Sequence, residues 1–137
     1  MGKEKLVAVY GSLRKGLHNS NIMEDSELIG MYDTLPIYEM YSIGGSYPGL
    51  IHGGNTSIKM EVYKVNQKVL DRLDRLEGYE KGQEEHNHYN KLEIKTPFGK
   101  AYTYIYNRGV ERLVRVDSGD WKSFKKKLKE QDRWDSC

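Results

Sequence analysis

Ile58-Lys59-Met60-Glu61-Val62-Tyr63-Lys64-Val65 runs directly into Asn66-Gln67-Lys68-Val69-Leu70-Asp71-Arg72-Leu73-Asp74-Arg75-Leu76-Glu77-Gly78-Tyr79, and the apolar period changes at the join. Up to Val65 the hydrophobic residues alternate, the repeat of a strand with one buried face. Beyond it they fall at Val69, Leu70, Leu73 and Leu76, the stripe of an amphipathic helix. Asn66 has the chemistry of an N-cap, and Gly78 is placed to end the helix in a left-handed cap. A strand that passes straight into a helix predicts a chain mixing both.

The flanking segments agree. Leu6–Tyr10 is a short apolar run that reads as a buried strand, and Gly11–Asn21 reads as a loop closing into a short helix near Asn19–Glu24. Leu28–Asp33 and Leu35–Ile43 carry weaker strand signals, followed by a glycine-rich stretch, Gly44–Asn55. Glu80–Asn90 is polar with almost nothing to bury. Tyr89–Lys95 and Ala101–Asn107 read as a hairpin around Pro97-Phe98-Gly99-Lys100. Ser118 is expected to cap a last helix with Trp121, Phe124 and Leu128 on one side. The sum is a single α+β domain over residues 1–137, with five to seven strands and two or three helices.

Composition narrows the function. Of 137 residues, 37% are hydrophobic and 31% charged, lean but sufficient for one core, and the net charge of +2 gives no field that would gather nucleic acid. No apolar run is long enough to cross a membrane. Met1–Lys5 leads into the first strand without the regions of a signal peptide, and the lone cysteine, Cys137, allows no internal disulfide, so a cytoplasmic location is expected.

Two stretches carry candidate chemistry. In Val9-Tyr10-Gly11-Ser12-Leu13-Arg14-Lys15-Gly16 a strand enters Gly-Ser, a turn that can present several backbone N–H groups to a carboxylate or phosphate. Arg14 and Lys15 would add positive potential. The plainer alternative is an ordinary turn with both cations solvated. The spacing excludes a Walker loop.

The second stretch is Leu73–Tyr79. Glu77 follows Leu73 by four residues and Leu70 by seven, which puts its carboxylate on the apolar face. It also sits at the helix C-terminus, where the dipole disfavours negative charge. Burial and dipole both push its pKa upward, which suits acid–base work near neutrality. The alternative is a frayed, solvated helix end. Asp71, Arg72, Asp74 and Arg75 fall on other faces and are expected to form weak surface pairs.

Together these segments resemble the gamma-glutamylcyclotransferase-like family, and most closely its small gamma-glutamylamine branch. Tyr10-Gly11-Ser12-Leu13 is similar to its opening signature, Tyr47-Pro48-Gly49-Leu50 to its middle segment, and Leu70–Tyr79 to the signature bearing its catalytic glutamate. Ala101–Tyr106 and Ser118-Gly119-Asp120-Trp121 resemble its late strand and closing segment. The resemblance implies a mixed, partly open β-barrel flanked by helices. It also implies cyclisation of a gamma-glutamyl amine or amide to 5-oxoproline without metal or other cofactor. Glu77 would be the general acid–base, Tyr10, Gly11, Ser12 and Leu13 would hold the glutamyl group, and Tyr79 and Tyr104 would line the cavity. Two departures bear on substrate choice: Met60-Glu61 stands where the family has Gly-Glu, and the stretch after Tyr79 is unusually polar and lacks an arginine.

Other readings remain open at this level. Glu84, His86 and His88 have a spacing compatible with zinc, while His18 and His52 have none. The lysine-rich last helix could meet an acidic surface, although a solvated face explains it more simply. Trp134 and Cys137 are expected in a mobile end. The fold could serve as a non-catalytic binding protein for an amino-acid-like anion, or act on a gamma-glutamyl group attached to something larger. A small-molecule gamma-glutamyl partner, no nucleic acid, no membrane and a monomeric state are expected.

Overall fold

Val7, Ala8 and Val9 are all buried, so the first strand has no face toward water. It can sit only in the middle of a sheet covered on both sides, and that placement organises the chain. The computed structural model describes residues 4–17 and 19–135, with side chains through Gln131. His18, Cys137 and the Trp134 side chain, all weighed in the sequence, lie outside what is described.

In chain order the elements are β1 (Lys5–Val9), a 3-10 turn (Ser20–Met23), β2 (Glu27–Asp33), β3 (Tyr38–Ile43), β4 (Tyr47–His52), β5 (Lys59–Val65), α1 (Gln67–Leu76), β6 (Tyr89–Thr96), β7 (Gly99–Tyr106), β8 (Val114–Arg115) and α2 (Trp121–Asp135). A five-stranded sheet has the order β2-β5-β1-β7-β6, and a three-stranded sheet the order β4-β3-β8. β1 pairs antiparallel with β5 and parallel with β7. The fold is mixed α+β, and the sheets do not close into a barrel. The two edges of the larger sheet do approach: the Tyr32 hydroxyl donates to the Lys95 carbonyl at 3.3 Å, and the Phe98 ring packs on Gly30. No helix among the described residues is long and apolar enough to cross a membrane.

The pleat of β1 divides the core. Val7 and Val9 pack with Leu70, Leu73 and Tyr104 beneath α1, while Ala8 packs with Met40, Leu50, Met60 and Trp121 beneath the small sheet and α2.

Several expectations need correction. The described residues form eight strands, because the glycine-rich stretch contains β4, paired with β3 from Tyr38↔His52 to Ile43↔Tyr47. Glycine hid that strand from the sequence. At Gly49 the Tyr106 ring of β7 occupies the place of a side chain, its Cγ 2.8 Å from where a Cβ would stand. Pro48 is tolerated because β4 is an edge. The cap of α2 is Asp120 rather than Ser118: the Lys122 and Ser123 amides donate to Asp120 Oδ1 at 3.1 and 3.4 Å. Leu76 does not join the core and is 44% exposed.

The largest correction concerns Arg14, read as a solvated or ligand-facing cation. It is 3% exposed, and its Nε donates to Glu61 Oε2 at 2.9 Å while Nη1 donates to Asp120 Oδ1 at 2.8 Å. Glu61, 2% exposed, also accepts from the Lys15 amide at 2.8 Å and the Tyr63 hydroxyl at 3.0 Å. The cluster ties the loop after β1 to β5 and to the start of α2. Burial alone would raise the Glu61 pKa, but the Lys15 amide, Arg14, Lys122 and Tyr63 outweigh it and hold the group below its usual value.

Removing one member of such a cluster leaves a buried charge uncompensated. Glu61→Leu is expected to cost about 3–5 kcal/mol near neutral pH, and Arg14→Met in the same chain to recover much of it. Since the folded pKa of Glu61 is depressed, its stabilisation is present above the ordinary carboxylate value of 4.5 and fades as the pH falls below it. Urea unfolding of the two variants across pH checks both statements.

Candidate active site

Sequence dictates how α1 ends. Asn66 Oδ1 accepts from the Val69 amide at 2.9 Å and starts the helix. At the other end the Tyr79 amide donates to the Asp74 carbonyl at 2.8 Å and the Gly78 amide to the Arg75 carbonyl at 3.2 Å. This is the bond pair of a Schellman cap, and Gly78 supplies the positive φ of 68° that it requires. The chain turns away immediately after Glu77, whose half-buried side chain lines a cavity of about 500 Å³.

The opposite wall comes from the end of β1. Tyr10, Gly11, Ser12 and Leu13 all line the cavity. No described residue accepts from the backbone N–H groups of Gly11, Ser12 or Leu13. Asn19 shapes this loop: its Nδ2 donates to Ser12 Oγ at 2.8 Å and its amide to the Ser12 carbonyl at 3.0 Å. The Ser12 oxygen is thus occupied as an acceptor, and its proton is free to donate into the cavity. A Cβ on Gly11 would stand 2.8 Å from the Pro48 ring, so only glycine lets the loop and β4 meet.

Three tyrosines complete the wall near Glu77, and each directs its proton elsewhere. Tyr10 donates to the Tyr104 carbonyl at 2.5 Å, Tyr89 to the Pro48 carbonyl at 2.7 Å, and Tyr104 to Asp74 Oδ1 at 2.6 Å. Burial raises the pKa of all three, and the nearby Glu77 charge adds to it. Glu77 itself receives no hydrogen bond from any described side chain. Burial therefore acts unopposed and pushes its carboxyl up to about 7.

The sequence-predicted residues Tyr10, Gly11, Ser12, Leu13, Glu77 and Tyr104 come together around one cavity. Tyr79 stands apart from it: its hydroxyl donates to Glu84 at 3.2 Å and its ring lies 5.1 Å from the Lys91 ammonium. Asp74, read as a surface charge, is instead a half-buried acceptor for Tyr104 and for Lys91 Nζ at 3.0 Å. The polar stretch after Tyr79 is internally bonded rather than loose. Buried Asn87 exchanges bonds with Glu80, and Asn107 and Arg108 donate into the stretch's carbonyls.

His88, weighed in the sequence only as a zinc ligand, and Tyr89, read there only as the start of a strand, both line the cavity; the His88 contacts are aromatic. The His88 ring lies 5.4 Å from that of Tyr89 and 5.5 Å from that of Tyr106, and its buried Nε2 has no partner. Burial, and then the Arg108 charge, hold its pKa below the usual histidine value. Among the described residues no group of histidine, cysteine and carboxylate side chains is arranged to hold a metal ion.

Residues 7–123 match the family described as gamma-glutamyl cyclotransferase, AIG2-like. The chain is 38% identical over 115 residues to the gamma-glutamylcyclotransferase family protein YtfP of Escherichia coli, covering 84% of this chain and 94% of that one. The solution structure of that protein superposes with a TM-score of 0.66, covering 85% and 95% of the two chains at 36% identity. A gamma-L-glutamyl-butirosin B gamma-glutamyl cyclotransferase from Niallia circulans is 29% identical over 123 residues, 85% of this chain and 75% of its own. A crystal structure from Pyrococcus horikoshii matches with a TM-score of 0.74 and 26% identity, covering 92% of this chain and 97% of the other.

The Glu77 environment has a cost that can be measured. A carboxyl whose folded pKa is raised stabilises the fold fully only below its unfolded value, and that stability is lost as the pH rises through the folded value. Between the ordinary 4.5 and about 7 the difference amounts to about 3 kcal/mol. Glu77→Gln is therefore expected to be more stable than the wild type above neutrality, by up to that amount, and no more stable in mild acid. Urea unfolding curves at the two pH values test it. Gly11→Ala is expected to destabilise by about 1–3 kcal/mol through the Pro48 contact, read the same way.

Proposed function

The chain belongs to the AIG2-like gamma-glutamyl cyclotransferase family and is an enzyme of that type; from that premise we propose that it cyclises the gamma-glutamyl group of a gamma-glutamyl amine or amide to 5-oxoproline, releasing the amine. The observation that supports this most directly is the position of Glu77, a carboxyl raised to about 7 by burial, across one cavity from the unpaired N–H groups of Gly11–Leu13.

In this reading Glu77 is the catalytic residue. Its carboxylate takes a proton from the substrate's α-ammonium, and the freed nitrogen attacks the γ-carbonyl carbon. As that C–N bond forms, the carbonyl π electrons move to oxygen, where N–H groups of the loop and the Ser12 hydroxyl stabilise the charge. Collapse restores the carbonyl and breaks the original γ C–N bond. Glu77 returns its proton to the leaving nitrogen, the ring nitrogen's second proton follows, and the amine departs as an ammonium. The cavity contributes by holding the chain folded for ring closure. Tyr10 and Tyr104 shape the wall against which it folds.

The leaving group can be larger than a simple amine. A cavity of about 500 Å³ lies within the range of sites for drug-sized ligands, and the Niallia circulans relative is named for a gamma-glutamyl group on butirosin B. His88 stands in the cavity wall, in the stretch that departs from the family pattern, and is our candidate for leaving-group contact. A monomer in the cytoplasm completes the proposal.

The test is 5-oxoproline release from gamma-glutamyl amines, amides, dipeptides and a bulkier gamma-glutamyl conjugate. Turnover is expected on at least one class, with kcat/KM rising through a pH of about 7 as Glu77 ionises. Glu77→Gln is expected to lower kcat about 10²–10⁴-fold while remaining folded. Binding without turnover would favour a binding protein, and an undiminished Glu77→Gln would remove Glu77 from the chemistry.

A further inference from the structure

A phenol has one proton, so a tyrosine that donates to a carboxylate or carbonyl offers only its lone pairs to anything else. Tyr104 is in that state. Its hydroxyl is committed to Asp74 Oδ1 at 2.6 Å, and carboxylate oxygens only accept. Asp74 is in turn held by Lys91, whose Nζ donates to Oδ2 at 3.0 Å and lies 5.1 and 4.9 Å from the ring centroids of Tyr79 and Tyr102. The two carboxylate oxygens thus have separate duties, one toward the cavity wall and one toward β6.

From this geometry we propose that Asp74 is a positioning residue, which holds the Tyr104 oxygen as an acceptor for the substrate's α-ammonium and keeps its proton away from Glu77. The inference rests on the cyclisation proposed above and adds a reason for its polarity. The cavity then has a donor end at Gly11–Leu13 and an acceptor end at Glu77, Tyr104 and Tyr89. An ammonium next to Glu77 meets lone pairs, and the nitrogen that must lose a proton is placed beside the base. A phenol free to donate would bond to the Glu77 carboxylate and stabilise its charge, making it a weaker base.

The charged and titratable groups around this pair come from every packed element. Asp74 and Arg75 lie on α1, Glu77 caps its C-terminus, and Tyr79 follows. Tyr10 follows β1, Tyr47 lies on β4, His88 just before β6, Tyr89 and Lys91 on β6, and Tyr102 beside Tyr104 on β7. Among them Asp74 is the acceptor for the Tyr104 proton.

The experiment measures kcat/KM against pH for Asp74→Ala, Asp74→Asn, Tyr104→Phe and the Asp74→Ala/Tyr104→Phe double variant. It also follows the Glu77 carboxyl directly by carbon-13 NMR in substrate-free protein. In Asp74→Ala the released Tyr104 proton turns to Glu77, so the acidic limb and the NMR midpoint are expected to move down by about one pH unit. Adding Tyr104→Phe is expected to move both back, because the donor is gone. Asp74→Asn retains an acceptor oxygen and is expected to stay near the wild type in both readings.

Tyr104→Phe alone is expected to raise KM while leaving the limb in place, and this holds the proposal testable should Asp74→Ala fail to fold. An upward move of the limb in Tyr104→Phe would mean that the phenol already donates to Glu77, and would overturn the proposal. An unmoved midpoint in folded Asp74→Ala would do the same. If no substrate turns over, the cyclisation reading fails while the NMR series still decides the direction of the Tyr104 proton.

Discussion

The absence of a wet face on β1 is the constraint from which the architecture follows. Val7 and Val9 demand cover on one side and Ala8 on the other, so β1 must lie between β5 and β7 with α1 over one surface and the small sheet and α2 over the other. That arrangement leaves the C-terminal end of β1 as the place where backbone must leave the sheet. Gly11 allows it to do so in contact with Pro48. The end of α1 arrives at the same place because Leu70 and Leu73 pack on Val7 and Val9. A cavity between a loop with unpaired amides and a helix end with a carboxylate is thus a consequence of how the central strand is buried.

Two glutamates show how little burial alone says about charge. Glu61 is almost completely enclosed, yet it sits below its usual pKa because an amide, a guanidinium and a phenol donate to it. Glu77 rises to about 7 because burial acts on it with no hydrogen bond from any described side chain to oppose it. The Lys15 amide and the Arg14 guanidinium do most to hold Glu61 down, and the nearby tyrosines differ in the same sense. Tyr63 gives its proton to Glu61, while Tyr10, Tyr89 and Tyr104 give theirs to carbonyls and to Asp74. The first arrangement builds a structural anchor, and the second leaves a carboxyl that titrates near neutrality.

What was legible in the sequence was whatever depends on local period and local caps. Val69, Leu70 and Leu73, Asn66 and Gly78 are enough to locate α1, and helix phase alone turns Glu77 inward. The Tyr10–Leu13 segment was legible as a turn, but Gly-Ser turns are common, and its place at a site was read from its likeness to the family's opening signature. Features that depend on a distant partner were not legible. Arg14 reads as a solvated cation until Glu61, 47 positions later, is brought beside it. Asp74 lies off the apolar stripe, so its role emerges only when Tyr104 and Lys91 reach it from another part of the chain. β4 was masked by its glycine-rich surroundings and by Gly49, whose missing side chain is replaced by Tyr106. His88 could not be assigned because neighbouring residues carry no apolar period to orient it.

The same reasoning explains why aromatic oxygen suits this cavity better than further carboxylates. A second carboxylate facing Glu77 would accept an ammonium equally well, but like charges in a dry site would drive one of the pair to hold a proton permanently. A phenol whose proton is tied off supplies lone pairs without charge. Burial keeps the phenols neutral, their pKa values being raised further by Glu77 itself. The tyrosines that line this wall, Tyr10, Tyr47, Tyr89 and Tyr104, have a physical use there: apolar bodies desolvate Glu77, and neutral oxygens can accept hydrogen bonds without competing for its proton. Such an environment favours a cation beside Glu77 only while that proton remains shareable, and a proton shared between a nitrogen and a carboxyl is the condition from which the proposed ring closure begins.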